Sequence, residues 1–306
     1  MKKIKLKKLL TVILRDYQLY LFVIPVLVHL FLFNYVPMYG VQIAFKDYNI
    51  AYGIEGSKWV GFAHFQRFFN SFQFANILKN TLALGLYSLI AGFPIPIIFA
   101  LLITQTRNKF FKKTVQTVTY APYFISIVVI VGMMNLFLSP RTGVVNSVLA
   151  LMNIAPVNFM SQPSLFKHLY VWSDIWQNVG WGSVIYVAAL SSINPELYES
   201  AKIDGASKFK QILHVDLPGI VPTIVITLIL SVGGIMNTGA QKAYLMQNPL
   251  TANSQEIIAT YTYKIGLIQN QFSYSAAIGL FNTLINLVFL VSVNQISKKL
   301  TDNSLW

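Results

Sequence analysis

The feature that most limits the fold of this chain is the length of its stretches without Asp, Glu, Lys or Arg. Seven such stretches exceed 20 residues, and they cover 17–45, 80–106, 114–140, 142–166, 175–195, 217–241 and 265–297. A helix needs about 20 apolar residues to cross a hydrocarbon core about 30 Å thick, so each stretch is long enough to span a membrane. The chain is 55% hydrophobic and 11% charged, which excludes a disordered protein and argues against a soluble enzyme.

Six of the seven stretches are predicted to be transmembrane helices of an all-α polytopic membrane protein. The exception is 142–166, whose asparagines and two prolines favour a short interfacial or re-entrant helix. The predicted transmembrane domain is 17–297, with spans at about 17–38, 80–105, 117–138, 175–193, 218–240 and 274–296.

The basic residues predict the orientation of these spans. With six spans, 15 of the 23 Lys and Arg residues fall on the side of both termini, and 8 fall on the other side. Cytoplasmic loops of membrane proteins carry an excess of Lys and Arg. We therefore expect the basic N-terminus (1–16) and the tail (298–306) in the cytoplasm, and we interpret the net charge of +13 as a topology signal rather than a preference for nucleic acid.

The sequence contains no pattern typical of an enzyme. It has no cysteine, its four histidines lack the spacing of metal ligands, and it has no GxxxxGK[ST] loop for a nucleotide. We therefore expect neither a metal site nor a cofactor in this chain. If ATP drives its activity, another chain binds the ATP.

The longest charged segment between two spans is residues 194–217, here called the charged loop. Asn194 can cap a first helix, and Gly205 can end it in the left-handed conformation. Ser207 can start a second short helix, which Pro218 is expected to limit. A charged loop is commonly just solvated, but a helix, turn and helix joined to two spans can also transmit the rigid-body motion of a partner.

The charged loop resembles the EAA motif of ABC importer permeases. That motif reads Glu-Ala-Ala, three residues, Gly, nine residues, Ile, one residue, Leu-Pro, and the spacing matches here throughout. The residues of this region are Glu199, Ser200, Ala201, Asp204, Gly205, Val215, Leu217 and Pro218. Ser200 replaces an alanine and Val215 replaces the isoleucine, and both changes are conservative in size.

The flanking sequences narrow the resemblance. The segment WQNVGWGSVIYVAALSSINPELYESAKIDGAS, from Trp176, is similar to carbohydrate-uptake permeases of the maltose-transporter type. The segment RDYQLYLFVIPVLVHLFLFNYVPMYGVQIAFKDYN, from Arg15, resembles the LplB-type subfamily of oligosaccharide and polysaccharide importers. The resemblance implies the type I ABC importer permease (MetI-like) fold, and a subunit that imports carbohydrate, specifically oligosaccharide, across the bacterial inner membrane by alternating access.

The resemblance also implies a complex. Its partners would be a second and different permease, two ATPase subunits that bind ATP and Mg²⁺, and an extracellular solute-binding lipoprotein. In that family the EAA loop is the coupling helix, which docks in a groove of the ATPase. Carried over to this chain, Glu199, Ala201 and Gly205 would form the interface, with Glu199 facing an ATPase arginine.

Polar side chains inside the spans are candidates for the substrate pathway, because they are costly in a membrane unless they face a partner helix or a wet cavity. Neutral amides and aromatic rings suit a sugar, which needs hydrogen-bond partners for its hydroxyls and flat surfaces for its apolar faces. The candidates are Asn178, Trp181, Asn237, Gln241, Tyr244, Asn282 and Asn286. For each of them, packing between helices is an equally open interpretation.

Two other functions stay open from the residues alone. An ion-coupled secondary sugar transporter would work without an ATPase, and a membrane scaffold or receptor subunit would not transport at all. A secondary transporter is expected to carry carboxylates well inside its spans, and the sequence has none there. Asp174, which has no base beside it in the sequence, is expected at the headgroup level or at a helix cap.

Overall fold

A computed structural model describes residues 15–248, 251–301 and 304–306, so the predicted basic N-terminus lies almost entirely outside the described residues. The described helices are α1 (Tyr17–Phe45), α2 (Gly53–Gly56), α3 (Ala63–Phe69), α4 (Phe74–Thr104), α5 (Lys109–Phe124), α6 (Ile127–Phe137), α7 (Val144–Leu151), α8 (Phe166–Ser191), α9 (Pro195–Ile203), α10 (Lys208–Gly233), α11 (Ala240–Met246), α12 (Ala252–Gln255), α13 (Ile258–Tyr263, continued by a π-turn at Lys264–Ile268) and α14 (Phe272–Thr301). A single turn of 3-10 helix lies at Phe159–Ser161. Strands β1 (Lys46–Asn49) and β2 (Ser57–Trp59) form an antiparallel hairpin in which Lys46 lies opposite Trp59.

Four of the described helices, α1, α4, α10 and α14, are long and apolar enough to cross a membrane. They correspond to the first, second, fifth and sixth predicted spans. Helix α8 contains the fourth and has 26 residues, but Lys167, His168 and Asp174 make its first half more polar. Helix α7, in the excluded segment 142–166, has 8 residues and is too short to cross a bilayer.

The third predicted span, 117–138, is not one straight helix. It is divided between α5 and α6, whose axes differ by 99°. Pro122 lies in the last turn of α5, and Ser126 caps α6. The side-chain amide of Gln177 donates a hydrogen bond of 2.9 Å to the Ile125 carbonyl oxygen, so this carbonyl at the break has a partner. A bent pair of helices therefore replaces the predicted continuous helix. The absence of charge indicates how long an apolar segment is, but it does not indicate whether the helix axis is straight.

The fifth predicted span, 218–240, is shifted toward the N-terminus in the structure. Helix α10 begins at Lys208, passes through a π-turn at Ile212–Asp216 and ends at Gly233. The expectation that Pro218 limits a separate short helix is therefore wrong. Pro218 lies directly after the π-turn, in the first turn of the following α-helical segment, where a missing N–H is tolerated.

Three of the four apolar clusters in the described part of the chain include residues of α4. One cluster joins α4 to α3, α13 and α14, the next joins it to α6, α8 and α11, and the third joins it to α8 and α10. Ile77, Leu84 and Ile220 are almost fully buried at their centres. Helix α4 therefore packs against most of the other core helices, and α8 packs with it in two of these clusters.

Helix α1 packs differently from the other long helices. Its residues from Tyr17 to Ile43 are all exposed or only partly buried. Ala44 is the first buried residue, and it packs with Phe65 and Ala277. The helix therefore joins the rest of the chain through its last turns, and most of its apolar surface meets no other part of the described chain.

Candidate functional site

A cavity of about 520 Å³ lies between α4, α8, α10 and the turn that follows α10. It is called the cavity below. Its wall includes small and hydroxyl residues, namely Gly85, Ser88, Gly92, Gly182, Thr227, Ser231 and Thr238. The buried hydroxyl oxygens of Ser88 and Thr238 have no hydrogen-bond partner among the described residues. Ser231 is exposed, so its hydroxyl is a wall group that a polar molecule in the cavity can reach.

Gly85 allows α4 to approach the turn after α10. A Cβ atom at this position would lie 2.2 Å from the carbonyl oxygen of Ile235. Real side chains do not tolerate such a distance, so the close backbone contact requires glycine. This contact sets the position of the cavity wall that carries Asn237.

Asn237 is the centre of a cluster of amides. It lies in the turn after α10 rather than inside a span, and it lines the cavity. Its Oδ1 accepts hydrogen bonds from the side-chain amides of Asn282 at 3.1 Å and Asn286 at 2.9 Å. The Oδ1 of Asn286 in turn accepts the backbone N–H of Met236 at 3.0 Å. The cluster therefore fixes the turn to α14.

The predicted pathway residues fall into two groups. Asn178 and Asn237 line the cavity, whereas Asn282 and Asn286 lie behind its wall and hold Asn237. The other three, which do not line the cavity, are Trp181, Gln241 and Tyr244.

Those three residues have other surroundings. The Trp181 ring stacks on Tyr123, with centroids 4.8 Å apart. Tyr244 meets the edge of Tyr263 at 5.1 Å, and Gln241 is exposed. The sequence candidates thus include two cavity residues, two residues that support one of them, and three that lie elsewhere.

Asp174 lies beside a base that is distant from it in the sequence. The Nζ atom of Lys242, in α11, lies 3.4 Å from Asp174 Oδ1 and 3.0 Å from the Tyr170 carbonyl oxygen. Asp174 is in the interior of α8, so it does not cap a helix. Both charged residues line the cavity. The pair was missed because its members are 68 residues apart in the sequence.

The first half of the charged loop has the local structure that its sequence predicts. The side chain of Asn194 accepts the Glu196 N–H at 3.1 Å and so caps α9. Gly205 has a φ of +69°, in the left-handed region, and no atom lies within 4 Å of the place of a Cβ. Ser207 then caps α10. Glycine is required here by the backbone conformation and not by crowding.

A hydrogen-bond network fixes the charged loop to the spans. The carboxylate of Asp216 is 1% exposed, and it accepts hydrogen bonds from the Tyr198 hydroxyl and from Gln105 Nε2, the latter at 2.6 Å. Lys208 Nζ donates to Gln105 Oε1 at 3.0 Å. Burial, and then the bond to Asp216, raise the pKa of the Tyr198 phenol. The network joins α9 and the start of α10 to the end of α4.

The predicted coupling residues lie mainly on the open side of the charged loop. Glu199, Ser200, Asp204, Gly205 and Pro218 are exposed, while Ala201, Val215 and Leu217 are partly buried. Ile203 is 86% exposed. The sequence did not predict the anchors Tyr198, Gln105 and Asp216, because they meet only through the fold.

The chain belongs to the family described as the inner membrane component of binding-protein-dependent transport systems, which it matches over residues 92–302. The class that the fold and the charged loop define is therefore a transport permease of the inner membrane.

Two proteins of Bacillus subtilis (strain 168) are similar over nearly their whole length. The polygalacturonan/rhamnogalacturonan transport system permease protein YteP is 40% identical over 100% of this chain and 95% of its own. Protein LplB is 38% identical over 95% of this chain and 92% of its own. A solved bacterial ABC transporter that imports the acidic polysaccharide alginate contains a chain with a TM-score of 0.88 and 40% identity, covering 96% of this chain and 99% of that one.

Proposed function

We propose that this chain is the permease subunit of an ATP-driven importer that takes up oligosaccharide by alternating access. The observation that carries the proposal is the connection between two sites in one chain. The exposed charged loop is fixed by Asp216 to α4 and α10, and the same two helices form walls of the cavity. Motion of a partner docked on the loop would therefore reach the cavity through packed helices.

The charged loop is the proposed coupling helix. Glu199, Ala201 and Gly205 would meet an ATPase subunit, with Glu199 facing an arginine of that subunit. The exposed Leu197 and Ile203 provide apolar contact area beside this carboxylate. In this arrangement both termini are cytoplasmic, and ATP and Mg²⁺ are bound by two ATPase partners rather than by this chain.

A second permease is the proposed partner of helix α1. This helix presents apolar side chains around most of its surface, and its packing on the rest of the chain is confined to its last turns. An extracellular solute-binding lipoprotein would deliver the sugar to the opposite end of the complex. A solved form of the alginate importer contains a periplasmic protein with a bound alginate pentasaccharide, which supports a partner of this kind.

The cavity is the proposed place where sugar passes. Its neutral groups, among them Asn178, Asn237 and the hydroxyl of Ser231, suit sugar hydroxyls. The names of the relatives support carbohydrate, and the alginate neighbour supports an oligosaccharide or polysaccharide. Replacing Asn237 by Ala is expected to change the concentration dependence of uptake, while loss of assembly alone would assign Asn237 to helix packing.

Reconstitution tests the function directly. The chain is purified with an affinity tag from its own cells together with the proteins that remain bound, and the complex is placed in lipid vesicles with its binding protein. We expect an ATPase to co-purify and labelled oligosaccharide to enter only with ATP. Uptake driven by a proton or sodium gradient without ATP would identify a secondary transporter, and absence of uptake under every condition would favour a scaffold.

Gly205→Val tests coupling in the same vesicles. Valine is strained at positive φ, so the α9 turn is displaced and sugar-stimulated ATPase activity should fall at least about fivefold, the factor for roughly 1 kcal/mol of coupling. Gly61→Val is the matched control, because Gly61 has a φ of +60° and equally open space but lies near the hairpin. Equal activity in the two variants would contradict the coupling role.

A further inference from the structure

Lys242 is the buried cation of the cavity. Its side chain is 3% exposed, and Lys242 and Asp174 are the charged residues among those that line the cavity in the described part of the chain. A buried ammonium group is costly unless it is paired and fully hydrogen-bonded. Neither solubility nor membrane topology explains why a lysine is buried at this position.

The contacts of Lys242 compensate its charge only in part. One N–H of its ammonium group donates to the Tyr170 carbonyl oxygen at 3.0 Å, and the Tyr170 ring centroid is 4.8 Å away. The distance to Asp174 Oδ1 is 3.4 Å, whereas a charge-assisted N–H···O bond is about 2.7 to 2.9 Å long. The counter-ion is therefore near the ammonium group without being tightly bound to it.

A second lysine in the same chain provides a standard of comparison. Lys264 Nζ lies 2.6 Å from Glu256 Oε2 and 2.9 Å from Gln247 Oε1. The other carboxylate oxygen of Glu256 accepts a hydrogen bond from Thr260. Neither Lys264 nor Glu256 lines the cavity. The tight pair thus lies away from the cavity, and the loose pair lies in its wall.

We propose that Lys242 binds a carboxylate group of the transported sugar, so that the permease selects acidic oligosaccharides such as those built of uronic acids. Asp174 lines the cavity, its side chain is 47% exposed, and it is the anion that lies beside the ammonium group in the structure. A sugar carboxylate would approach from the cavity and replace it as the closest anion. Asn178 and the wall hydroxyls would bind the neutral part of the same sugar unit. The assignment rests on the proposed transport function and adds its substrate class.

The alternative is that Lys242 and Asp174 form a latch that only holds α11 against α8. The two roles predict different signs for the two variants. If the pair is a latch, Lys242→Met and Asp174→Asn remove the same contact and impair uptake alike. If Lys242 binds the substrate, Asp174 competes with the sugar carboxylate, so its neutralisation should improve binding of the acidic sugar while loss of Lys242 weakens it.

The test uses the vesicles described above, with the complete complex and its binding protein. The probes are trimers of galacturonate and of mannuronate, and neutral trimers of galactose and of mannose of equal length. Wild-type protein is expected to carry at least one acidic probe in an ATP-dependent manner. Uptake of neutral probes alone would overturn the proposal and leave the transport function standing, whereas ATP-dependent uptake of no sugar by the wild-type complex would refute both.

The variants are then compared with the accepted acidic probe. Lys242→Met should raise the KM for uptake of this probe by about tenfold or more, the factor expected for one hydrogen bond to a charged group. Lys242→Arg should bring the KM most of the way back to the wild-type value. Asp174→Asn should lower the KM. The matched control Lys264→Met should leave the KM unchanged.

Assembly is measured by size-exclusion chromatography, so a variant that fails to assemble is recognised. In that case Lys242→Arg and Asp174→Asn, which keep the positive charge and the shape of the acid, still separate the two roles. A fall in uptake in both Lys242→Met and Asp174→Asn, with no change in preference between acidic and neutral probes, would show a latch.

Discussion

Two aspartates, Asp216 in the charged loop and Asp174 in the cavity, are bound in opposite ways. Asp216 is 1% exposed, and its two carboxylate oxygens accept hydrogen bonds from Tyr198 and Gln105. The side chain of Asp174 is 47% exposed and has one ion contact, at 3.4 Å. A buried carboxylate with both oxygens bonded holds its neighbours in one arrangement, whereas a half-exposed carboxylate can exchange its partner at little cost.

The difference corresponds to two mechanical requirements. A loop that passes motion to α4 and α10 has to move with them as a rigid body, and the neutral donors around Asp216 provide that rigidity. A cavity that binds and releases a polar solute needs contacts that water or solute can replace. The same residue type thus fixes one region and leaves the other open to exchange.

The largest expected effect is that of Asp216→Asn. The new amide group turns an N–H toward Tyr198 or Gln105, so at least one buried donor loses its acceptor. We expect a loss of about 3 kcal/mol in the stability of the purified chain, the upper end for an unsatisfied buried group. The change is measured as a lower melting temperature by tryptophan fluorescence. Asp47→Asn, at an exposed position of the hairpin, is the control, and an equal melting temperature for both variants would remove the distinction between the two aspartates.

Gly85→Ala tests whether the cavity wall tolerates movement. Its methyl group would have to displace the Ile235 carbonyl, which is 2.2 Å from the Cβ position, so we expect a loss of about 2 kcal/mol from overpacking. Gly279→Ala lies in a helix with no atom within 4 Å of its Cβ and should be neutral or stabilising by up to about 1 kcal/mol. A melting temperature for Gly85→Ala as high as that for Gly279→Ala would mean that the wall yields easily.

Tyr198→Phe removes one donor from Asp216 and leaves Gln105 in place. Because Tyr198 is only partly buried, we expect the free energy of unfolding to fall by about 1 kcal/mol. Sugar-stimulated ATPase activity should fall in parallel, since α9 loses its bond to α10. An unchanged coupling ratio in Tyr198→Phe would show that Gln105 alone fixes the loop.

The smallest expected effect on stability is that of Asp174→Asn. The Lys242 ammonium group is buried, but its contact with Asp174 is 3.4 Å long, and the new amide oxygen can still accept a hydrogen bond from it. We therefore expect the free energy of unfolding to fall by no more than about 0.5 kcal/mol, measured as a small change in melting temperature. The same substitution that is costly at Asp216 would then be nearly neutral at Asp174. A loss as large as that of Asp216→Asn would show that both aspartates are structural anchors.

The features that could be predicted are those determined by residues close together in the sequence. Asn194, Gly205 and Ser207 specify their caps and turn locally, so the form of the charged loop follows from its own residues. The long apolar helices follow from the absence of charge. The contacts of Asp216 with Gln105, 111 residues away, and of Lys242 with Asp174 depend on how helices pack, which neither composition nor spacing encodes.

The bend between α5 and α6 had a weak local signal that charge counting overlooked. The sequence APYFIS contains a proline followed by Ser126, a residue that favours the start of a helix. Similarly, the predicted fifth span includes Asn237 because the stretch 217–241 carries no charge, whereas Gly233 and Gly234 end α10. In both places the residues that change the chain direction are uncharged.

Helix α1 makes the stability of this protein a property of its surroundings. Because its apolar surface is covered by so little of the described chain, the free energy gained by covering that surface enters only when lipid, detergent or another subunit binds. By mass action, the apparent melting temperature then rises with the concentration and affinity of whatever binds there. Titrating a partner subunit against the purified chain would therefore measure association as a thermal shift, with α1 as the part of the chain that reports it.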